Sequence, residues 1–209
     1  NPTGPLHVGH GRGAILGSTL VNVLSASGYN VEKEYYFNDA GNQMDIFRRS
    51  LLARYLQSLG VKAEVPENGY MGNYMIDLAK EIIAEHGDKF QKLPEKDALA
   101  QLGDTGIGKV KDKIKKDLTQ LRVEFDIWFR EQSLYENGQY EKVMGLLRKS
   151  NYLAEKEGAT WFVSSNLGED KDNVVVRSNG APTYFATDIA YHYNKFIERH
   201  FELVIDIWG

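Results

Sequence analysis

The opening ten residues, Asn1 to His10, constrain the fold of this chain more than any other segment. They place two imidazoles three residues apart, where a loop runs into an apolar helical pattern. On a helix, His7 and His10 lie one turn apart on the same face. The unpaired N–H groups and the positive dipole end of a helix start attract anions, and Gly9, without a Cβ, lets a flat ligand approach the backbone. The segment therefore predicts a site where two imidazoles stabilise developing charge on a phosphate.

The histidine spacing by itself leaves two other interpretations open. The same spacing occurs in pairs of metal ligands and in pairs of solvated surface residues. A zinc site would need a third ligand, and the chain has no cysteine to supply the commonest one. The absence of cysteine also excludes disulfides and a thiol nucleophile. We expect no protein-built metal site.

Length and composition are those of a globular protein. The 209 residues, 42% of them hydrophobic, suffice for a buried core. The formal charge of −4 argues against a surface that coats nucleic acid generally. Because no apolar run could span a membrane and no secretory signal opens the chain, we expect a cytoplasmic protein without a membrane partner. The start inside a motif and the end after an apolar run indicate a piece of a longer protein.

Helical and extended patterns alternate in the first part of the chain. Residues 11–27 have helical apolar spacing and Gly28 as a C-terminal cap, and residues 29–37 have the β-branched and aromatic content of a strand. A phosphate loop followed by a helix and a strand is typical of a doubly wound, parallel-sheet α/β nucleotide-binding fold, whose first strand we expect upstream of residue 1. Gly13 and Gly17 favour close packing of this helix against the sheet.

The strand is followed by a loop and a second helix. Asn38 and Asp39 are interpreted first as a turn and helix N-cap, with the helix over residues 43–59. The end of such a strand also borders the ligand crevice in open α/β sheets, so a site role for the two residues stays open.

Residues 60–157 have a different pattern, with long helical stretches at 74–84, 98–121 and 140–149. We interpret them as a helical insertion in the α/β domain, which divides the chain into residues 1–59, 60–157 and 158–209. The lysines of its one basic cluster spread around a helix and are interspersed with aspartates, so a solvated face is favoured over a nucleic-acid contact. These lysines are Lys109, Lys111, Lys113, Lys115 and Lys116.

The last part returns to α/β patterns. Strands are predicted at 161–163 and 173–177, with Asn179-Gly180 as a hairpin-type turn towards Tyr184 and Phe185. A strand end passing into a helix is predicted over 183–198, and a buried strand over 201–208.

Tyr184 and Asp188 are four residues apart and share a helix face. A carboxylate beside a phenol suits a planar guanidinium, which bonds a carboxylate through two parallel N–H···O bonds. The alternative is that Asp188 lies near a helix N-terminus, where the dipole stabilises a carboxylate by about 0.3–1 kcal/mol.

Four segments of the chain resemble arginyl-tRNA synthetases of class I. They are the opening string, a form of the "HIGH" signature, and the strings E-Y-Y-F-N-D-A-G (34–41), F-D-I-W-F (125–129) and T-Y-F-A-T-D-I-A-Y-H (183–192). The resemblance covers nearly the whole chain. It implies part of a Rossmann-like, HUP-type catalytic domain with a connective-peptide-like insertion, truncated at its C-terminal end.

The same resemblance implies the reaction and the site residues. ATP activates L-arginine as arginyl-adenylate, with Mg²⁺ helping to neutralise the phosphates, and the arginyl group passes to the 3′-terminal adenosine of tRNA-Arg. The residues implied to bind ATP are Thr3, His7, Gly9 and His10, of which the histidines stabilise the transition state. The residues implied to bind arginine are Asn1, Tyr184 and Asp188. A monomer is expected, and His192 has no assigned role.

One departure from the family's pattern and two alternatives accompany this hypothesis. The lysine-containing "KMSKS" motif of the family is absent, so we expect the 209 residues alone to activate arginine negligibly. One alternative is another class I synthetase or nucleotidyltransferase with an H-x-G-H site, which has no reason to present Asp188 to a cation. The other is a non-catalytic binding protein on the same scaffold, against which the intact His7, Gly9 and His10 argue.

Overall fold

The computed structural model describes residues 2–208, and most of them are helical. Its α-helices are α1 (Val8–Ala26), α2 (Asn42–Ser58), α3 (Asn73–His86), α4 (Glu95–Gln120), α5 (Gln132–Glu136), α6 (Gln139–Lys149) and α7 (Tyr184–Tyr193). Its strands are β1 (Glu34–Phe37), β2 (Ile127–Arg130), β3 (Leu153–Lys156), β4 (Ala159–Phe162) and β5 (Asn173–Val176). Short 3₁₀ turns occur at Lys89–Lys92 and Ser164–Leu167, and a π-helical segment, Asn194–Glu198, continues α7.

The chain forms two compact units. The first comprises residues up to Phe129 together with the segment from Ile207, and the second comprises Arg130–Asp206. These units are defined by spatial packing, whereas the sequence boundaries at 59/60 and 157/158 mark an insertion within one domain. The sequence boundaries stay a prediction.

The core of the first unit is helical. Helices α3 and α4 both pack on α2, where Phe47, Leu51 and Tyr55 are fully buried. A methyl group at Gly106 of α4 would overlap the Cδ2 atom of Leu51, so glycine permits the close approach of α2 and α4. Two of the three helices predicted within the insertion, α3 and α4, thus share one core with the helix that precedes it, whereas α6 belongs to the second unit.

The two sequence segments E-Y-Y-F and F-D-I-W-F meet as β1 and β2. Asp126 accepts a hydrogen bond from the Lys33 N–H through Oδ2 at 2.7 Å, and its own N–H donates to the Lys33 carbonyl at 2.9 Å. The Tyr35 ring stacks on Trp128 with centroids 4.5 Å apart. The strand predicted over 29–37 is shorter than expected, since only its last four residues are strand.

The N-cap predicted for α2 is wrong. The cap position is Gly41, at φ +79°, and no side chain bonds the helix start. Asp39 is instead buried directly after β1, and its N–H donates to the Phe37 carbonyl at 2.9 Å. A glycine is required at 41 because that φ is unfavourable for residues with a Cβ.

The buried strand predicted over 201–208 is also wrong for the described chain, where these residues have no regular secondary structure. An apolar run forms a strand only where a neighbouring strand accepts its backbone hydrogen bonds, and the described residues supply none here. Within the first unit, Ile207 nevertheless packs on α1, because a Cβ at Gly17 would lie 2.9 Å from its Cδ1 atom. Close packing at this glycine is therefore confirmed, but its partner is a segment without regular secondary structure and not the predicted sheet.

The second unit contains an antiparallel sheet with the order β3-β4-β5. A turn at Asn179-Gly180 follows β5, closed by a bond from the Arg177 N–H to the Ala181 carbonyl at 2.8 Å, as the hairpin signal predicted. The returning arm ends at Pro182, because Thr183 caps α7 by accepting a bond from the Ala186 N–H at 3.4 Å. Tyr184 and Phe185 are therefore helical.

No helix among residues 2–208 is both long and apolar enough to cross a membrane.

Candidate functional site

The first candidate site lies at the start of α1, where the rings of His7 and His10 are stacked. Their centroids are 3.5 Å apart, with an interplanar angle of 17°. The geometry predicted from the sequence, two imidazoles one turn apart on one face, is thereby confirmed. Both side chains are exposed at the N-terminus of a 19-residue helix.

The two histidines also form a reciprocal cap. His7 is the N-cap residue, and its Nδ1 accepts from the His10 N–H at 3.3 Å, while His10 Nδ1 accepts from the His7 N–H at the same distance. Because each Nδ1 is an acceptor, a neutral ring carries its proton on Nε2. Both imidazoles can therefore donate an Nε2–H bond to an anion.

The charge state of His10 agrees with this tautomer. Partial desolvation and the nearby charge of His7 lower the pKa of His10 below its ordinary value of 6.5. A stacked pair of imidazolium rings would bring two positive charges together, so the neutral form of His10 is favoured at neutral pH.

Gly9 leaves room for the ring of His7. A Cβ at this position would lie 3.0 Å from Cε1 and 3.1 Å from Nδ1 of His7. Glycine therefore permits the ring position that makes the cap, in addition to the open approach for a ligand that the sequence predicted. Sequence reasoning missed this contact because it depends on the rotamer of His7.

Two other residues were predicted to belong to the site, Thr3 and Asn1. Thr3 is partly buried in the loop before α1. The loop is packed against α3, since a Cβ at Gly4 would lie 3.2 Å from the Tyr74 ring. Asn1, predicted to bind arginine, lies outside the described residues.

The second candidate site lies on α7, in the second unit. Tyr184 is the first residue of the helix and is exposed, and Asp188 lies one turn further along. The Asp188 carboxylate is half-buried, and among the described residues no side chain or backbone N–H bonds to it. Burial raises its pKa above the ordinary 3.8, against the opposing charges of His192 and Lys195. A half-buried carboxylate without a partner is suited to receive a cation.

His192 connects this turn of α7 to a second carboxylate. Its Nδ1 lies 2.9 Å from the Asp188 carbonyl oxygen, and its Nε2 lies 3.1 Å from Oδ2 of Asp206. Oδ1 of Asp206 accepts from Nζ of Lys195 at 2.8 Å. Asp206 and Lys195 were not predicted as site residues, because the sequence gives no sign that the chain returns to α7 after residue 200.

The lysine cluster of α4 has partners on two sides. Lys109 donates to Glu81 at 3.1 Å and to Glu85 at 2.5 Å, and Lys113 donates to Glu81. The ammonium groups of Lys111 and Lys115 lie 5.9 and 5.0 Å from the centroid of the Trp128 ring system. Helix-to-helix ion pairs and cation–π contacts thus account for four of the five lysines, and a tRNA contact is not needed to explain them.

No group of three His, Asp or Glu side chains converges to hold a metal ion anywhere in residues 2–208.

The described residues thus present a stacked histidine pair at one helix start and a half-buried carboxylate on another helix, within an α/β architecture. Comparison with known proteins defines the family. The model of the family described as tRNA synthetases class I (R), catalytic domain, matches residues 1–208. The chain is 58% identical over all 209 residues to an "Arginine--tRNA ligase" of Dehalococcoides mccartyi strain CBDB1 and 54% identical to that of Carboxydothermus hydrogenoformans. It spans 38% and 37% of the lengths of these relatives.

Solved structures agree with the sequence comparison. A putative arginyl-tRNA synthetase from Campylobacter jejuni superimposes with a TM-score of 0.82 at 38% identity, covering 94% of this chain and 43% of that one. The arginyl-tRNA synthetase of Thermus thermophilus, at 24% identity, shares the fold with a TM-score of 0.63 over 94% of this chain and 34% of that one. The predicted fold, part of a Rossmann-like α/β domain with helical content, is thereby confirmed. The chain belongs to the family of class I tRNA synthetase catalytic domains of the arginine type.

Proposed function

We propose that this chain is part of an arginine–tRNA ligase, which activates L-arginine with ATP and transfers it to tRNA-Arg. In the first step an arginine carboxylate oxygen attacks the α-phosphorus of ATP, and the bond to the bridging oxygen breaks to release pyrophosphate. In the second step the 2′-hydroxyl of the terminal adenosine attacks the arginyl carbonyl, and AMP leaves. Neither step needs a covalent enzyme intermediate.

The histidine pair is the group we assign to ATP. Two imidazoles with Nε2–H donors, at the positive end of α1, suit the negative charge that grows on the α-phosphate during attack. Because the Nδ1 atoms are committed to the backbone, the rings act in this proposal as hydrogen-bond donors and not as a proton-shuttling pair. Thr3 and Gly9 are assigned to ATP with them.

The single observation that carries the choice of arginine is the Asp188 carboxylate, which is half-buried on α7 and has no partner among the described residues. A guanidinium group would satisfy both carboxylate oxygens at once. Tyr184, one turn earlier, and Asn1 are assigned to arginine on the family's motif.

The remaining partners follow from the reaction. We propose that Mg²⁺ enters with the phosphates of ATP, that tRNA-Arg is required before arginine is activated, and that the protein acts as a monomer in the cytoplasm.

The test is ATP–pyrophosphate exchange by the full-length protein that contains this chain, with a panel of amino acids, with and without tRNA. Exchange restricted to arginine and dependent on tRNA supports the proposal. Exchange with a different amino acid would retain the adenylation chemistry and refute the arginine pocket. Absence of exchange with every amino acid would favour a binding protein on the same scaffold.

A further inference from the structure

Asp188, His192 and Lys195 lie at positions i, i+4 and i+7 of one continuous helical stretch. Residues at this spacing share one helix face. Two side chains that can carry positive charge therefore follow a carboxylate that the proposed function reserves for the guanidinium of the substrate.

Lys195 is an unusual neighbour for such a site, because it is 5% exposed. A buried ammonium group needs a partner of opposite charge, since the cost of removing it from water is otherwise not offset. Its Nζ lies 2.8 Å from Oδ1 of Asp206 and 4.1 Å from the centroid of the Tyr191 ring. The π-helical turn at Asn194–Glu198 contains this lysine, and π-turns are rare and concentrated at functional positions.

His192 is held by the same carboxylate. Its Nδ1 faces the Asp188 carbonyl oxygen and its Nε2 faces Oδ2 of Asp206, so both ring nitrogens face acceptors. The protonated ring satisfies both contacts, whereas the neutral ring can donate to only one of them. Each oxygen of Asp206 thus binds one of the two basic side chains of this helix face.

We propose that Asp206 is a positioning residue for the arginine site: by binding His192 and Lys195 it keeps both basic groups away from the Asp188 carboxylate, which stays available for a substrate guanidinium. This inference rests on the proposed function. Without Asp206, the buried lysine needs another anion. Glu198, three residues further along the helix, is bound to Lys142, whereas the Asp188 carboxylate has no partner among the described residues. An ion pair between Lys195 and Asp188 would then compete with arginine.

The charges around Asp188 agree with this arrangement. Besides burial, the groups that act on its titration are His192, Lys195 and Asp206. For Asp206 itself, burial alone would raise the pKa, but the bonds and charges of Lys195 and His192 outweigh burial and lower it. Asp206 therefore stays ionised and bound to its two partners over the range where arginine is bound.

The experiment compares three variants of the full-length protein by their KM for arginine and for ATP in tRNA-dependent pyrophosphate exchange, together with thermal unfolding. Asp206→Asn is expected to raise the arginine KM about tenfold and to leave the ATP KM unchanged, the size of effect that one nearby uncompensated charge produces. In Asp206→Asn with Lys195→Met, the competing ammonium group is gone while His192 is still held at the Asp188 carbonyl oxygen through Nδ1, and the arginine KM should return to within about threefold of the wild-type value. Asp172→Asn is the matched control, because Asp172 pairs with Lys156 at 2.7 Å in the same unit but touches no residue of α7 that the proposal uses.

Recovery in the double variant separates this role from ordinary structural support, which would make the double variant worse than the single one. An unchanged arginine KM in Asp206→Asn, or no recovery in the double variant, would overturn the inference while arginine-dependent exchange by the wild type still stands. Absence of arginine-dependent exchange by the wild type would refute the proposed function instead.

If Asp206→Asn does not fold, the arginine KM of the single variant Lys195→Met tests the inference. The inference expects an unchanged arginine KM, since Asp206 still binds His192. A tenfold increase at a preserved unfolding temperature would contradict it.

Discussion

The imidazoles of His7 and His10 cap each other's backbone, with the two N–H···Nδ1 distances both 3.3 Å. Each ring thus uses one nitrogen for the helix and keeps the other for a ligand. The structural and the proposed chemical role of these side chains can therefore be separated by substitutions that preserve one nitrogen's function and remove the other's.

Asparagine at position 7 should retain the cap and remove the phosphate donor. Asparagine is among the best N-cap residues, so hydrogen-exchange protection of the first turn of α1 should be preserved. The rate of pyrophosphate exchange by the full-length protein should fall about 100-fold, the usual cost of losing one donor to a transition-state anion.

The control for this substitution is His86→Gln in α3. His86 packs on Phe90 away from the helix start, so its replacement should leave the exchange rate as it was. A His7→Asn protein with the wild-type rate would exclude His7 from the reaction.

Gly9→Ala should reduce activity through the position of the His7 ring. Alanine favours a helix over glycine by about 1 kcal/mol, which offsets the loss of about 1 kcal/mol from the cap that a displaced His7 ring no longer makes, so the stability of α1 should change little. The new methyl group would lie 3.0 Å from the His7 ring and displace it, which should reduce exchange. Gly108→Ala provides the comparison, because a methyl group there meets nothing within 4 Å. Equal exchange rates for the two variants would show that the ring position is unimportant.

The sequence predicts the helices of this chain well because their apolar spacing is local information. The helix predicted at 98–121 is observed as Glu95–Gln120, and the one at 140–149 as Gln139–Lys149. The helix stop at Gly28 is equally local: a residue at φ +92° lets the Tyr29 N–H reach the Leu24 carbonyl, and glycine adopts that φ readily.

The failures concern features that depend on distant partners. Residues 201–208 have a strand's composition, but a strand exists only where another strand pairs with it. The role of Asp206 depends on the chain turning back along α7. This reversal follows the π-helical turn at the end of α7, which no spacing rule predicts. The motif at residues 1–10 predicted the histidine pair, yet its reciprocal cap required knowledge of two side-chain rotamers.

Two glycines of α4 that look alike in sequence should respond oppositely to alanine. At Gly106, which is buried against Leu51 and Phe47, a methyl group forces α2 and α4 apart and should destabilise the first unit by about 1–3 kcal/mol. At the exposed Gly108, alanine should be neutral or stabilising by up to about 1 kcal/mol. Denaturant unfolding of both variants is the measurement. Similar destabilisation at the two positions would mean that the packing of α2 on α4 does not limit stability.

The raised pKa of Asp188 gives arginine binding a specific dependence on pH. Burial, opposed by His192 and Lys195, raises this pKa above 3.8, whereas guanidinium stays charged throughout the range. Arginine affinity should therefore be constant near neutral pH and fall on acidification, beginning at a higher pH than an ordinary aspartate would give. For folding the sign is reversed: the folded state binds this proton more tightly than the unfolded chain, so protonation of Asp188 stabilises the fold as pH falls.

Calorimetry in two buffers of different ionisation enthalpy measures this linkage directly on the full-length protein. In the acidic range, where Asp188 is partly protonated, arginine binding should release a proton, because guanidinium binds only the carboxylate form. At pH 8, where Asp188 is already ionised, its carboxylate should contribute no proton release on arginine binding. In Asp188→Asn the release in the acidic range should disappear and arginine should bind about 10- to 100-fold more weakly, as expected for loss of a charged hydrogen-bond partner. If that variant retains both the affinity and the proton release, the guanidinium is bound by a different carboxylate, and the assignment of Asp188 to arginine is wrong.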